Sequence, residues 1–326
     1  MPDLAHAIPD SHQNVSPGFL EMLIRTAREE LFTDLMRLSH ESGEHLLFSF
    51  LEGIQQKLYR CVGGVVEILP RQTWQDALGR GNARVGFLRL PVEAMRFIRV
   101  LHEAPVRSVE ELDVTAEQLR EAVGGWGAAG EPAIIHIQGE RISWYYLMAG
   151  ASTPVIEELS VTRDEARFSL SDISFPQRLP RLAYHVVRYV STRDHDAWRE
   201  YELRLAFSPL MRMLLNRFGE LAGRSLTERL CEQMTHWAHE GGWNVSLSSN
   251  GIVNRQYFDS LESAIDLYAD LLRRFREEAS PAIGSRMADA ISQEILMKLD
   301  SYRRELLTNY VFRRQGAGSA IGVVWR

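Results

Sequence analysis

From Ser208 onward the apolar residues recur every three or four positions, the spacing that turns one face of an α-helix inward. Ser208-Pro209 predicts a helix start, since Pro is tolerated at the first helical position. Ser225-x-x-Glu228 and Asp259-x-x-Glu262 have the form of capping boxes, in which two side chains satisfy free backbone N–H groups. Leu261, Ile265, Tyr268, Leu272 and Phe275 then alternate steps of four and three, a heptad-like seam that suits a partner helix. After Ser280-Pro281 the stripe continues from Ile283 to Tyr310. The spacing predicts one final helix reaching about Phe312, long enough to overhang a small core. Within this third, only Trp243 to Val253 alternates with a period of two, around an Asn250-Gly251 turn that predicts a hairpin.

The middle of the chain has the other period. Two apolar runs flank Gly139-Glu140 and predict a hairpin. Ala166–Ser171 and Leu182–Val190 read as further strands, while Tyr201–Phe207 fits a strand or a helix. Upstream, apolar spacing predicts helices over 17–39 and 44–59, strands over Cys61–Leu69 and Arg84–Leu90, a short helix around Trp74 and another after Pro91. Thr115-x-x-Gln118 is a third capping box, opening a helix that ends near Gly124. Gly124–Gly130 (GGWGAAG) reads as a linker. The fold class is therefore α+β: a central antiparallel sheet with a helix-rich C-terminal region, divided into 1–123, 131–207 and 208–326. No internal repeat is visible in the sequence.

Composition narrows the class. Hydrophobic residues make up 45% and charged residues 25%, enough apolar material for a folded core. The net charge of −6 argues against a general nucleic-acid-binding surface, which needs clustered positive charge. No apolar run approaches the length that spans a bilayer. Two cysteines, Cys61 and Cys231, are too few for a disulfide framework. With no basic start and apolar run at the N-terminus, a cytoplasmic protein is expected.

The motifs that carry chemistry are sparse. Gly125, Gly127 and Gly130 spell G-x-G-x-x-G, but a dinucleotide site needs that motif between a strand and a helix. Here it follows a helix and precedes Pro132. His236 and His239, with Cys231 one turn earlier, could serve zinc or haem; helix-end histidines are the plainer reading. Asp194-His195-Asp196 reads as a turn, because a catalytic triad is assembled across a fold. The aromatic hairpin offers more. Trp144 and Tyr146 fall on one side of a strand, beside His136 and Arg141, and could line a pocket for a flat ligand. The apolar tip of the tail, 321–326, reads either as a docking peptide or as a final strand.

Phe175-Pro176-x-x-Leu179-Pro180, running into Val186-x-x-Tyr189-Val190, is similar to a segment of GAF-type ligand-sensing domains of prokaryotic signalling proteins. The hairpin around Gly139 and Arg141-Ile142 resembles small β modules attached to response regulators. These resemblances imply sensing and transfer no functional residue. The expected function is a non-catalytic regulatory or sensory protein. It would bind a small ligand or partner protein at His136, Arg141, Trp144 and Tyr146, and self-associate through the Leu261–Phe275 seam as a homo-oligomer. No cofactor, nucleic acid or membrane span is expected. The alternatives are an enzyme whose site is assembled from scattered residues, or a metal- or haem-binding protein using His236 and His239.

Overall fold

In the computed structural model of this chain, the described residues are 4–8, 10–40, 42–63, 65–70, 73, 76, 83–92, 94–138, 142–148, 155–162, 166–172 and 183–314. They form two compact units, Met1–His195 and Asp196–Arg326. The fold is α+β, with antiparallel sheets in the first unit and a helical second unit that carries one hairpin.

The first unit is built twice to one plan. The first set runs β1 (His12–Val15), α1 (Pro17–Glu29), β2 (Asp34–Ser39), β3 (His45–Leu51), β4 (Ile54–Val62), β5 (Val65–Ile68) and β6 (Ala83–Arg89). Helix α2 (Ala94–Glu103) leads into the second set. That set runs β7 (Val106–Thr115), α3 (Ala116–Ala129), β8 (Ala133–Gln138), β9 (Ile142–Met148), β10 (Val155–Thr162), β11 (Ala166–Asp172) and β12 (Ala183–Ser191). The first sheet is ordered β1-β6-β2-β3-β4-β5, and the second, read from the matching edge, β7-β12-β8-β9-β10-β11. Every neighbouring pair in both sheets is antiparallel.

The correspondence between these two modules reaches individual residues. Ser16 and Thr115 are the helix N-caps, each accepting from the backbone N–H three residues on. Leu20 and Leu119, then Ile24 and Val123, are buried one and two turns later. Leu31 and Gly130 both take left-handed φ, 54° and 66°, just past the helix end. Met36, Leu38, Leu46, Phe48 and Phe50 pack under α1. Their counterparts Ile135, Ile137, Trp144, Tyr146 and Met148 pack under α3. The expectation of no internal repeat is overturned. The copies share burial and backbone geometry, but the shared positions are filled by different apolar residues.

Several expected elements are replaced. The 17–39 helix stops at Glu29, because Leu31 turns left-handed and β2 follows. The 44–59 helix is the β3–β4 hairpin, turned by Glu52 and Gly53 at φ 48° and 77°. β2 and the centre of β3 are buried on both faces, and a strand without a polar face shows no period of two. The GGWGAAG linker lies within α3, which runs to Ala129 and is capped by Gly130. Its glycines cost helix propensity; Leu119, Val123 and Trp126 offset that by packing on the sheet. The Thr115–Gln118 capping box forms as expected. The Trp74 helix and the 321–326 tail lie outside the described residues.

The second unit comprises α4 (Asp196–Ala222), α5 (Arg224–Glu240), β13 (Val245–Ser248), β14 (Gly251–Asn254), α6 (Leu261–Ile283), α7 (Ser285–Lys298) and α8 (Ser301–Leu307). Tyr201–Phe207 is helical, and α4 runs unbroken through Pro209 and through the 207/208 boundary expected from sequence. Ser225 is not a cap, since α5 starts from Gly223 without a side-chain cap, and α6 is capped by Ser260 rather than Asp259. The long final helix is three shorter ones. α6 passes Pro281 and stops at Gly284 (φ 85°), and extended Leu299 separates α7 from α8. The stretch expected as one overhanging helix is thus folded as shorter segments. Phe207 stacks on Tyr268 at the centre of the core, ring centroids 4.5 Å apart.

Candidate functional site

The expected ligand residues do not converge. Directly paired residues of neighbouring antiparallel strands point to the same face of a sheet, and successive residues along a strand to opposite faces. His136 pairs with Tyr145, while Trp144 and Tyr146 pair with Ile137 and Ile135. Trp144 and Tyr146 face α3 as core, Tyr146 being fully buried and Trp144 edge-on to Tyr184. Arg141 lies outside the described residues.

His136 instead joins residues on the face away from α3. Its ring lies flat against Tyr145, centroids 4.5 Å apart and planes 3° from parallel. His185, on β12, sits across from Gln138 and from Asp113 of β7, so these three continue the same face towards the edge of the sheet. His185 Nδ1 and Asp113 Oδ1 are 3.0 Å apart, and both side chains are exposed. Burial, and then the neighbouring His185, lower the His136 pKa from 6.5 to about 4, so it is neutral at pH 7. Its Nε2 is buried and has no hydrogen-bond partner, which is a cost unless a ligand meets it.

The first module treats the matching position differently. Arg37 pairs with Leu47 as His136 pairs with Tyr145. Its guanidinium donates to the carbonyl oxygen of Ala5 at 2.7 Å and forms an ion pair with Asp10. Leu4, Ala5 and Ile8 are buried there. One module thus satisfies this position with its own N-terminal segment, and the other leaves a bare imidazole nitrogen. Sequence reasoning missed Tyr145, which hairpin parity alone would have identified. It also missed His185 and Asp113, because their approach depends on pairing between distant strands.

His136 is not alone among the described residues of the first unit: Gln55 Nε2 and both ring nitrogens of His102 are also buried without a hydrogen-bond partner. Glu103 accepts from Tyr59 Oη at 3.2 Å and Arg99 Nε at 3.1 Å. His102 packs its ring against Tyr59, and burial lowers its pKa to about 3. A solvent-open hollow of about 390 Å³ beside β4 and β5 is lined by Arg60 and Glu67, which pair with each other at 2.5 Å.

In the second unit the expected interaction seam is internal. Ile265, Tyr268, Leu272 and Phe275 are buried in the unit's own core, and Leu261 packs half-buried against it. The heptad-like spacing serves helices of the same chain. His236 and His239 are exposed, and His236 lies 3.2 Å from Glu240. Among the described residues no three His, Cys, Asp or Glu side chains gather as metal ligands. Burial raises the Cys231 thiol to about 11, which disfavours the reactive thiolate. No described helix is long and apolar enough to cross a membrane. No protein family matches the chain, and no curated protein matches it.

Proposed function

We propose that this chain is a non-catalytic regulatory or sensory protein whose second module binds a small ligand or a partner's side chain. The contact is the margin formed by His136, Gln138, His185 and Asp113. The observation that carries this reading is the buried, unpartnered Nε2 of His136, at a position where the first module engages Arg37 twice. A neutral imidazole there can make one well-placed hydrogen bond, and the exposed His185–Asp113 pair adds polar contacts of either sign. The occupant is a compact polar group approaching the sheet from the side away from α3.

Native mass spectrometry of the protein as purified from cells, with a denatured run beside it, tests this. A mass excess lost on denaturation, and absent from His136→Leu and His185→Ala, supports the reading. The same excess in wild type and both variants refutes the assignment of the site. The 3.0 Å His185–Asp113 contact also favours a second reading, an acid–base pair in an enzyme; turnover abolished by Asp113→Asn would select it.

A further inference from the structure

We propose that β7 takes up an extended, basic peptide of a partner protein as a further strand of the second sheet. β7 lies at the edge of that sheet and has ten residues, nearly all of them exposed. The two edge strands of the first sheet, β1 and β5, have four each. Edge strands expose unpaired N–H and C=O groups, and proteins usually keep such edges short or covered. A bulge at Arg107 disturbs only the start of β7. From Ser108 to Val114 the strand runs in unbroken register with β12, which leaves seven residues for an incoming strand.

The side chains decide which strand fits. Val109, Glu111 and Asp113 pair with Tyr189, Val187 and His185, so all three share the face away from α3. Val109 is 50% exposed. Glu111 is exposed and makes no ion pair among the described residues. Asp113 is 84% exposed and meets only a histidine, His185. On the other face Glu110 is already held by Arg188, which donates to both of its oxygens, at 3.0 and 3.1 Å. The unmatched charge of the edge is therefore negative, and it lies on one face. An antiparallel peptide with basic residues opposite Glu111 and Asp113, and an apolar residue opposite Val109, sets opposite charges and apolar surface directly against each other. A second copy does not supply this. Centred on Glu110, Glu111 or Leu112, a second β7 brings carboxylates face to face, which is unfavourable. Basic side chains at every second residue thus define the partner. Asp113 also belongs to the ligand margin, but Val109, Glu111 and the backbone edge do not, so this inference does not depend on the proposed function.

The test is the fluorescence anisotropy of a labelled peptide, Val-Arg-Val-Arg-Thr-Val-Thr, titrated with the full chain at low salt. Wild type should bind it saturably. Glutamate in place of both peptide arginines should abolish binding, and Glu111→Arg should weaken it about tenfold or more. A peptide with glutamate in place of only its second arginine should then bind Glu111→Arg better than it binds wild type, which a folding defect cannot produce. Two further peptides, N-methylated at alternate residues in the two possible phases, separate strand addition from charge attraction. One phase should bind and the other should not, because only every second amide of an added strand faces β7. His136→Leu should leave peptide binding unchanged. The proposal is overturned if wild type does not bind, if Glu111→Arg binds the original peptide as well as wild type does, or if the two methylated peptides bind alike. A wild type that sediments as a dimer, with Ser108–Val114 protected from hydrogen exchange, would place a second copy on the edge and overturn it too.

Discussion

Arg37 and His136 occupy one position in two successive copies of a module, and the two terminal nitrogens of Arg37 are engaged by its own chain, through Ala5 and Asp10, while His136 Nε2 is not. Arg37→Met should therefore destabilise the first unit by about 2 kcal/mol, the typical scale for charge-assisted hydrogen bonds lost from a buried site. His136→Leu removes an unpartnered nitrogen and should change stability by less than about 1 kcal/mol. Urea denaturation of both variants checks the contrast.

Acid should weaken the protein before its carboxylates titrate. His102 and His136 have pKa values lowered from 6.5 to about 3 and about 4, burial being the main cause in each. A base with a lowered folded pKa binds fewer protons folded than unfolded. Stability is then full above about pH 6.5 and is lost as pH falls from there towards the folded values. His102→Leu should flatten that slope, retaining at least about 1 kcal/mol more stability than wild type near pH 5. Paired urea titrations at neutral and mildly acidic pH measure it. An unchanged slope would show that His102 is not held neutral by burial.

Leu272→Ala should cost about 2–5 kcal/mol through a cavity in the second unit, without altering oligomeric mass. Leu272 is fully buried in that unit's core, in the same apolar cluster as Phe207 and Tyr268. Thermal unfolding alongside sedimentation separates the two effects. A mass change at unchanged stability would return the seam to an intermolecular role.

Gly53→Ala should destabilise the first module by more than about 1 kcal/mol, because Gly53 has φ 77° and an added Cβ would lie 2.7 Å from the Arg28 carbonyl oxygen. Denaturant midpoints would show this directly.

These residues also mark what was legible in the sequence. The Thr115–Gln118 capping box and the hairpin near Asn250-Gly251 are local signals; the box forms as the sequence predicts, and the hairpin forms with its turn one residue earlier, at Ser249-Asn250. β2 and β3 were hidden because Leu35, Leu38, Leu47 and Leu51 mimic helical spacing when both faces of a strand are apolar. The glycines of α3 read as a linker because packing by Trp126 and Val123 is not a local property. The duplication was hidden because matched positions such as Phe48 and Tyr146 share burial but not identity. Of the candidate site, His136 was found and its true neighbours were not. Tyr145 follows from hairpin parity, whereas Asp113 and His185 meet only through β7–β12 pairing.

The second module leaves unpaired a buried hydrogen-bonding nitrogen at the position where the first module engages Arg37. Ring nitrogen NMR of His136, with the protein titrated in turn by phosphate, acetate and ethylguanidinium, measures it most directly. The account predicts that at least one of these probes shifts the His136 Nε2 and His185 signals together, saturably, and that Asp113→Asn weakens the response. If none of the three moves His136 while its Nε2 remains bare, the position is closed to ligands and the recognition role is contradicted.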